Sequence, residues 1–175
     1  ITNNVISAPM AGGECIRITG AGSDFNASHI SGNTFNCSNE AIASAATGVR
    51  IGDLNITDNT FVNGSVLVSM NSGGALASQV RNLRVSGNRF LGNGQTKTEL
   101  AISNTTRAHV ANNTFNNASS AIFLGSFVSE VIIEDNVFAN SSLAINITGG
   151  IGIFVTNATF QNVGQPFRIQ NGLNV

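Results

Sequence analysis

Apolar residues in this chain fall at alternate positions in short runs, and the runs themselves recur. ISGNTF ends at Phe35, ITDNTF at Phe61, VSGNRF at Phe90, VANNTF at Phe115, IEDNVF at Phe138 and VTNATF at Phe160, while ITNNVI opens the chain with Ile6 in the Phe place. Ahead of each Asn the alternation continues, and Leu54 and Ile56, Leu83 and Val85, Ala108 and Val110, Val131 and Ile133, and Ile153 and Val155 are expected to face inward. After each Phe comes a polar loop of variable length and then a second alternation: CIRI (Cys15 to Ile18), VLVSM (Val66 to Met70), LAI (Leu100 to Ile102), AIFL (Ala121 to Leu124), LAINI (Leu143 to Ile147) and FRI (Phe167 to Ile169). Period two marks strands with one face on a core, and the unit carries no helical period. Each unit of roughly 22 to 29 residues therefore predicts three short strands.

Such a unit cannot bury its own apolar face, so it must stack on its neighbours. About seven rungs predict an all-β, single-stranded parallel β-helix, a solenoid on the order of 34 Å long, with residues 1–175 as one domain. In that stack Asn33, Asn59, Asn88, Asn113 and Asn136 lie one above another, where each amide is donor and acceptor in turn, forming an internal ladder. Asn also tolerates the left-handed backbone of a tight corner. The Phe two residues on is expected to point inward and stack, each ring burying roughly 150 to 250 Å². Asp58 and Asp135 share the slot before the ladder Asn on turns separated by others, and read as Asx-turn residues rather than as a carboxylate pair.

The repeated [IV]-x-x-N-x-F followed by an apolar alternation resembles the right-handed parallel β-helix repeats of the pectate-lyase-like superfamily, over essentially the whole chain. That superfamily holds polysaccharide lyases, glycoside hydrolases, alginate epimerases, phage tailspikes, adhesins and surface proteins. The resemblance bears on fold, because the matching residues are those that build the coil. It implies that an enzyme of this kind carries acidic and basic residues on the outer face of the strand after the variable loop. Here the outward residues of that strand read Arg17 and Thr19, Leu67 and Ser69, Ala101 and Ser103, Phe123, Ala144 and Asn146, and Arg168 and Gln170, with no carboxylate among them. Glycoside hydrolysis needs two carboxyl groups about 5 to 9.5 Å apart.

A more polar column precedes the Asn. Asp53 and Asn55, Asn82 and Arg84, Arg107 and His109, and Glu130 are expected on successive turns, with His29 one turn before Asp53. Asp53, Arg84, Arg107, His109 and Glu130 are the candidates for acid–base work, set against a plain reading as exposed strand-face pairs.

Composition narrows the choices further. Charged residues make up 10%, net charge is -1, and Trp and Tyr are absent. Nothing here forms an electrostatic footprint for nucleic acid, no apolar run reaches the roughly 18 residues of a membrane helix, and neither nucleic acid nor membrane insertion is expected. Saccharide rings are commonly held on Trp or Tyr faces, so their absence weighs against a sugar-processing groove. Phe123, outward beside Leu67 and Ala101, is expected to form an apolar strip.

Ten N-x-[ST] sequons occur, at Asn26, Asn36, Asn55, Asn63, Asn104, Asn112, Asn117, Asn140, Asn146 and Asn157, and they are the glycosylation candidates. Asn36, Asn63, Asn117 and Asn140 follow the aligned Phe and would line one edge of the rod. Crowding of Asn, Ser and Thr into turns is the alternative account of these sequons. Cys15 and Cys37 lie on the first two turns, where a disulfide and two free thiols are both open. No His, Cys or Asp grouping has metal-ligand spacing, and no metal or other cofactor is expected.

The chain begins at Ile1 without a Met, already inside the pattern, and ends at NGLNV, so it reads as a processed chain or a segment of a longer protein. Solenoids need their end rungs covered. The expected partners are other copies or adjoining domains stacked end to end, and glycans. The residues favour a secreted, cell-surface or virion-appendage rod over an enzyme. The different-class alternative is a polysaccharide lyase, glycoside hydrolase or epimerase.

Overall fold

A computed structural model describes residues 1–8, 14–18, 24–44, 50–68, 79–94 and 97–170. Thr19, Ser69, Met70 and the final NGLNV lie outside the described residues. The first rung holds β1 (Val5–Ala8) and β2 (Ile16–Ile18), and the second β3 (Asp24–Phe25), β4 (Ser28–Ser31), β5 (Thr34–Cys37) and β6 (Glu40–Ser44). The third is β7 (Arg50–Thr57), β8 (Thr60–Val62) and β9 (Ser65–Val68), and the fourth β10 (Gln79–Ser86), β11 (Arg89–Leu91) and β12 (Thr98–Ile102). The fifth is β13 (Thr106–Ala111), β14 (Thr114–Asn116) and β15 (Ser120–Leu124). The sixth is β16 (Ser129–Glu134), β17 (Val137–Ala139) and β18 (Leu143–Ile147), and the seventh β19 (Ile151–Thr156), β20 (Thr159–Gln161) and β21 (Gln165–Ile169).

These strands form three parallel sheets of seven strands each. Sheet A collects the strands ahead of the repeated Asn, sheet B the Phe-bearing strands and sheet C the third alternation. The rungs from the third to the seventh, five in all, place one unbroken strand in every sheet. On the second rung sheet A is split between β3 and β4, which both pair with β7, and on the first it is reduced to a bridge between Thr2 and Ser31.

Register explains the core. Phe35, Phe61, Phe90, Phe115, Phe138 and Phe160 are consecutive partners in sheet B. Their rings stack at centroid distances of 5.1, 4.8, 4.6, 5.2 and 5.4 Å, near parallel throughout. Phe167 then meets Phe160 edge-on. Opposite them, Leu54, Ile56, Leu83, Val85, Val110, Val131 and Ile133 of sheet A and Ile42, Val66, Leu100, Ile122 and Ile145 of sheet C fill the interior.

The corner between sheets A and B carries the ladder. Asn33, Asn59, Asn88 and Asn113 each donate Nδ2–H to Oδ1 of the Asn one rung later at 3.0 Å. The backbone N–H of the same residue reaches that same oxygen at 2.9 to 3.0 Å. Nδ2 also donates to the carbonyl two residues back and to one on the preceding rung, as in Asn59 to Thr57 and Ile30. Asn4 extends the column to the first rung, donating to Asn33 Oδ1 at 3.1 Å. Ala158 ends it, since the seventh rung offers Asn136 no amide. Five ladder residues are at most 1% exposed, so every polar atom needs a protein partner, and only an amide both gives and accepts at this reach.

One expectation about this corner is corrected. The left-handed backbone belongs to the residue before the ladder Asn: Asn3, Gly32, Asp58, Gly87, Asn112, Asp135 and Asn157 all have φ between 49 and 68°. Asn, Asp and Gly are the residues that tolerate that region, which gives Asp58 and Asp135 their place. The ladder Asn itself stays outside it, leaving its side chain turned inward.

Candidate functional site

Two outer faces hold the ionisable residues. On sheet A the polar column is divided by register rather than continuous. His29 pairs with Asn55, not Asp53; Asn55 continues to Arg84, His109, Ile132 and Phe154, while Asp53 pairs with Asn82. Asn82 Nδ2 donates to Asp53 Oδ1 at 2.7 Å, and Arg84 Nε donates to Ser86 Oγ at 3.2 Å. His109 Nε2 lies 2.7 Å from Glu134 Oε1, a partner the sequence reading missed, with both side chains more than a third exposed. Arg107 and Glu130 sit at left-handed positions, φ 62 and 55°, opposite one another between the pairs Thr106 with Ser129 and Ala108 with Val131, and both are exposed. Asp53, Arg84 and His109 therefore make local contacts with neighbours, Arg107 and Glu130 are exposed beside one another, and the five do not converge on one enclosed point.

Sheet C differs from expectation. Arg17, Ala43, Leu67, Ala101, Phe123, Asn146 and Arg168 form its outward column, in register from rung to rung. The apolar strip is largely covered: Ala101 is buried, and Leu67 and Phe123 are half-buried. Nor is the face without carboxylates. Strand β6, which the alternation did not mark, begins at Glu40, and β12 begins at Thr98, ahead of the LAI run that marked it, and so they bring Glu40 and Glu99 to this side.

Glu40 and Lys97 help line a groove of about 350 Å³ with Asn39, Ser65, Leu67, Thr98, Ala101 and Phe123. Lys97 Nζ donates to Ser38 O at 2.6 Å and reaches Asn39 Oδ1 at 3.4 Å, spanning from the fourth rung to the second. Asn39 Nδ2 donates to Glu40 Oε2. Glu99 is 5% exposed and packs beside Gly92, where a Cβ would overlap its Oε1. Burial pushes the Glu99 carboxyl up to about 7, with the Lys97 ammonium pulling it down. A carboxyl that keeps its proton near neutrality is a proton donor, and a second carboxylate can serve as a base. Glu40 and Glu99 lie two rung steps apart, roughly 9 to 10 Å along the axis at their backbones. Alignment of columns carries the signal that was missed: Glu99 occupies the slot that Ala121 and Ala144 fill on later rungs.

Among the described residues no group of three His, Cys, Asp or Glu could hold a metal ion, and no helix is long and apolar enough to cross a membrane. Cys15 and Cys37 form a disulfide joining the first two rungs, with Cα atoms 6.1 Å apart. Of the sequon residues, Asn26, Asn36, Asn63, Asn112, Asn117, Asn140 and Asn157 are exposed, whereas Asn55, Asn104 and Asn146 are half-buried. At the corner between sheets B and C, Asn162 Nδ2 donates to Asn140 Oδ1 and Asn140 Nδ2 to Asn116 Oδ1, both at 3.0 Å. This is a second amide column, on the solvent side.

None of the curated proteins and none of the solved structures matches the chain. A family model does: residues 1–162 match the one described as a right handed beta helix region. With parallel rungs, buried Asn column and ring stack running through that same span, the chain belongs to the right-handed β-helix family.

Proposed function

We propose that this chain is an extracellular structural or adhesive β-helical rod, glycosylated, forming part of a surface filament, adhesin or tail appendage. The observation that carries the reading is where the repeated residues go. Asn and Phe, the recurrent positions, are spent inside on the ladder and stack, while outer-face chemistry is scattered as neighbour pairs such as His109–Glu134 and Asn82–Asp53. The Cys15–Cys37 disulfide supports an oxidising location. Exposure of seven sequon residues supports glycan attachment. Parallel strand edges complement one another, so a rung of one copy can add to a rung of another copy or of an adjoining domain.

Negative-stain imaging of the purified chain tests this reading, together with intact mass after secretion from a glycosylating host. The expected result is rods joined end to end, with mass added in sugar-sized steps. Isolated rods of unmodified mass overturn it.

A second reading draws on Glu40, which lines the sheet C groove, and on Glu99, which is buried beside Gly92 and outside that lining. Glu99 as acid and Glu40 as base would suit a polysaccharide-processing enzyme, a glycoside hydrolase above all. A polysaccharide turnover screen with Glu99→Gln and Glu40→Gln decides: turnover lost in both variants establishes the enzyme, and no turnover by the unaltered chain removes it.

A further inference from the structure

A separate feature lies at the start of sheet A. Four of the eight Lys and Arg residues, Arg50, Arg81, Arg84 and Arg107, project from β7, β10 and β13, three consecutive rungs. Parallel stacking sets successive rungs only about 4.8 Å apart, so like charges there repel unless something neutralises them. Arg84 and Arg107 stand along the face, but Arg50 and Arg81 flank a cleft of about 150 Å³. Gln79 is the register partner of Arg50, and the pairs Ile51 with Val80 and Asp53 with Asn82 put Gly52 opposite Arg81. The cleft floor is therefore bare backbone, with the half-buried Phe25 as one wall.

We propose that this cleft binds an oxyanion: a carboxylate, sulfate or phosphate group held between the Arg50 and Arg81 guanidinium groups, with the Gln79 amide as a further donor. Neither arginine has an ion-pair partner among the described residues, where the pairs are Arg17–Glu14 and His109–Glu134. All nine Asp and Glu residues are among those described, and none of them forms an ion pair with either arginine. Two carboxylates stand near. Asp53 already accepts from Asn82, and Asp24, the register partner of Arg50 one rung before it, itself lines the cleft at its Arg50 end. The seat between the arginines carries two cations against the one carboxylate of Asp24, and each fork presents paired N–H donors of the geometry that oxyanions accept. This cleft stands apart from the sheet C groove and does not depend on either reading of function.

The experiment titrates the intact chain with inorganic sulfate, inorganic phosphate and acetate in turn, at fixed ionic strength balanced with chloride, and follows heat together with the arginine Nε–H resonances. Saturable binding is expected, with Arg50→Gln or Arg81→Gln each weakening it about tenfold and the double variant abolishing it. Arg89→Gln, on sheet B, is expected to change nothing, and Asp24→Asn to tighten binding severalfold. Relative affinities for the three anions sort the group that the cleft prefers. Unsaturable titration of the unaltered chain by all three, or equal loss in the Arg89 variant and the double variant, overturns the proposal. Circular dichroism of each variant separates loss of binding from loss of fold.

Discussion

Two columns of asparagine climb this coil, one at each side of sheet B, and they teach different things. The inner column is closed to water, and each rung between Asn59 and Asn113 makes five side-chain bonds: two received at Oδ1 and three given by Nδ2. The outer column, Asn116, Asn140 and Asn162, repeats at almost the same interval yet makes one bond per step in solvent. Residue type and spacing are shared, and burial separates them. In the inner column an unmade bond leaves a desolvated group with no substitute, whereas water replaces a lost bond in the outer one.

Asn88→Ala tests the contrast hardest. Removing its amide strands Asn59 N–H and Nδ2 and the Ile56 carbonyl in the interior, and a loss of about 3 to 5 kcal/mol in urea unfolding is expected. A loss no greater than that of the outer variant described last would break the comparison. Phe115→Ala, in the middle of the stack, is expected to cost a similar amount, about 3 to 5 kcal/mol, with a fall in melting temperature as the readout.

Glu99 extends the contrast to a group that lies on an outer face and is nevertheless buried. Its folded pKa, about 7, is above the ordinary carboxyl value, so the folded chain holds this proton more tightly than the unfolded chain. Its contribution to stability is fully present below about pH 4.5 and is lost as pH rises through about 7, a change of at most about 3 kcal/mol. Denaturation across that window should show the decline in the unaltered chain and its absence in Glu99→Gln. Parallel curves for the two proteins would remove Glu99 as the cause.

Ala158→Asn is a gain rather than a loss. It supplies the missing Oδ1 to Asn136 N–H and Nδ2, and about 1 kcal/mol of added stability is expected from the urea midpoint. Smallest is Asn140→Ala, expected to move stability by less than about 0.5 kcal/mol because both its neighbours can turn to water.

The legible parts of the sequence were those with a period. Alternation gave the strands of sheets A and C, and the repeated Asn and Phe located the ladder and stack, because a parallel solenoid holds each column in register. What escaped had no column to reveal it. Glu99 follows a loop and precedes the apolar run, so alternation alone started its strand too late. Glu134 ends an apolar alternation, and only the close approach of His109 gives it a role. The placing of Asp53, Asn82, Arg107 and Glu130 on successive turns was legible because it follows the same register. The register offset is the same on either side of Arg107 and of Glu130, so counting from the Asn places both correctly, and what it does not reveal is their left-handed backbone.

The inner column also has a direction, with Nδ2 of each rung always giving to the rung that follows. A gene segment duplicated between equivalent ladder codons, 23 to 29 residues long here, would therefore join in phase at both seams and lengthen the protein by a complete rung. A duplication one codon longer or shorter within a strand would turn the next Phe to the solvent face and leave the following amide without its donor. Directional bonding makes this coil extensible by whole repeats and intolerant of partial ones.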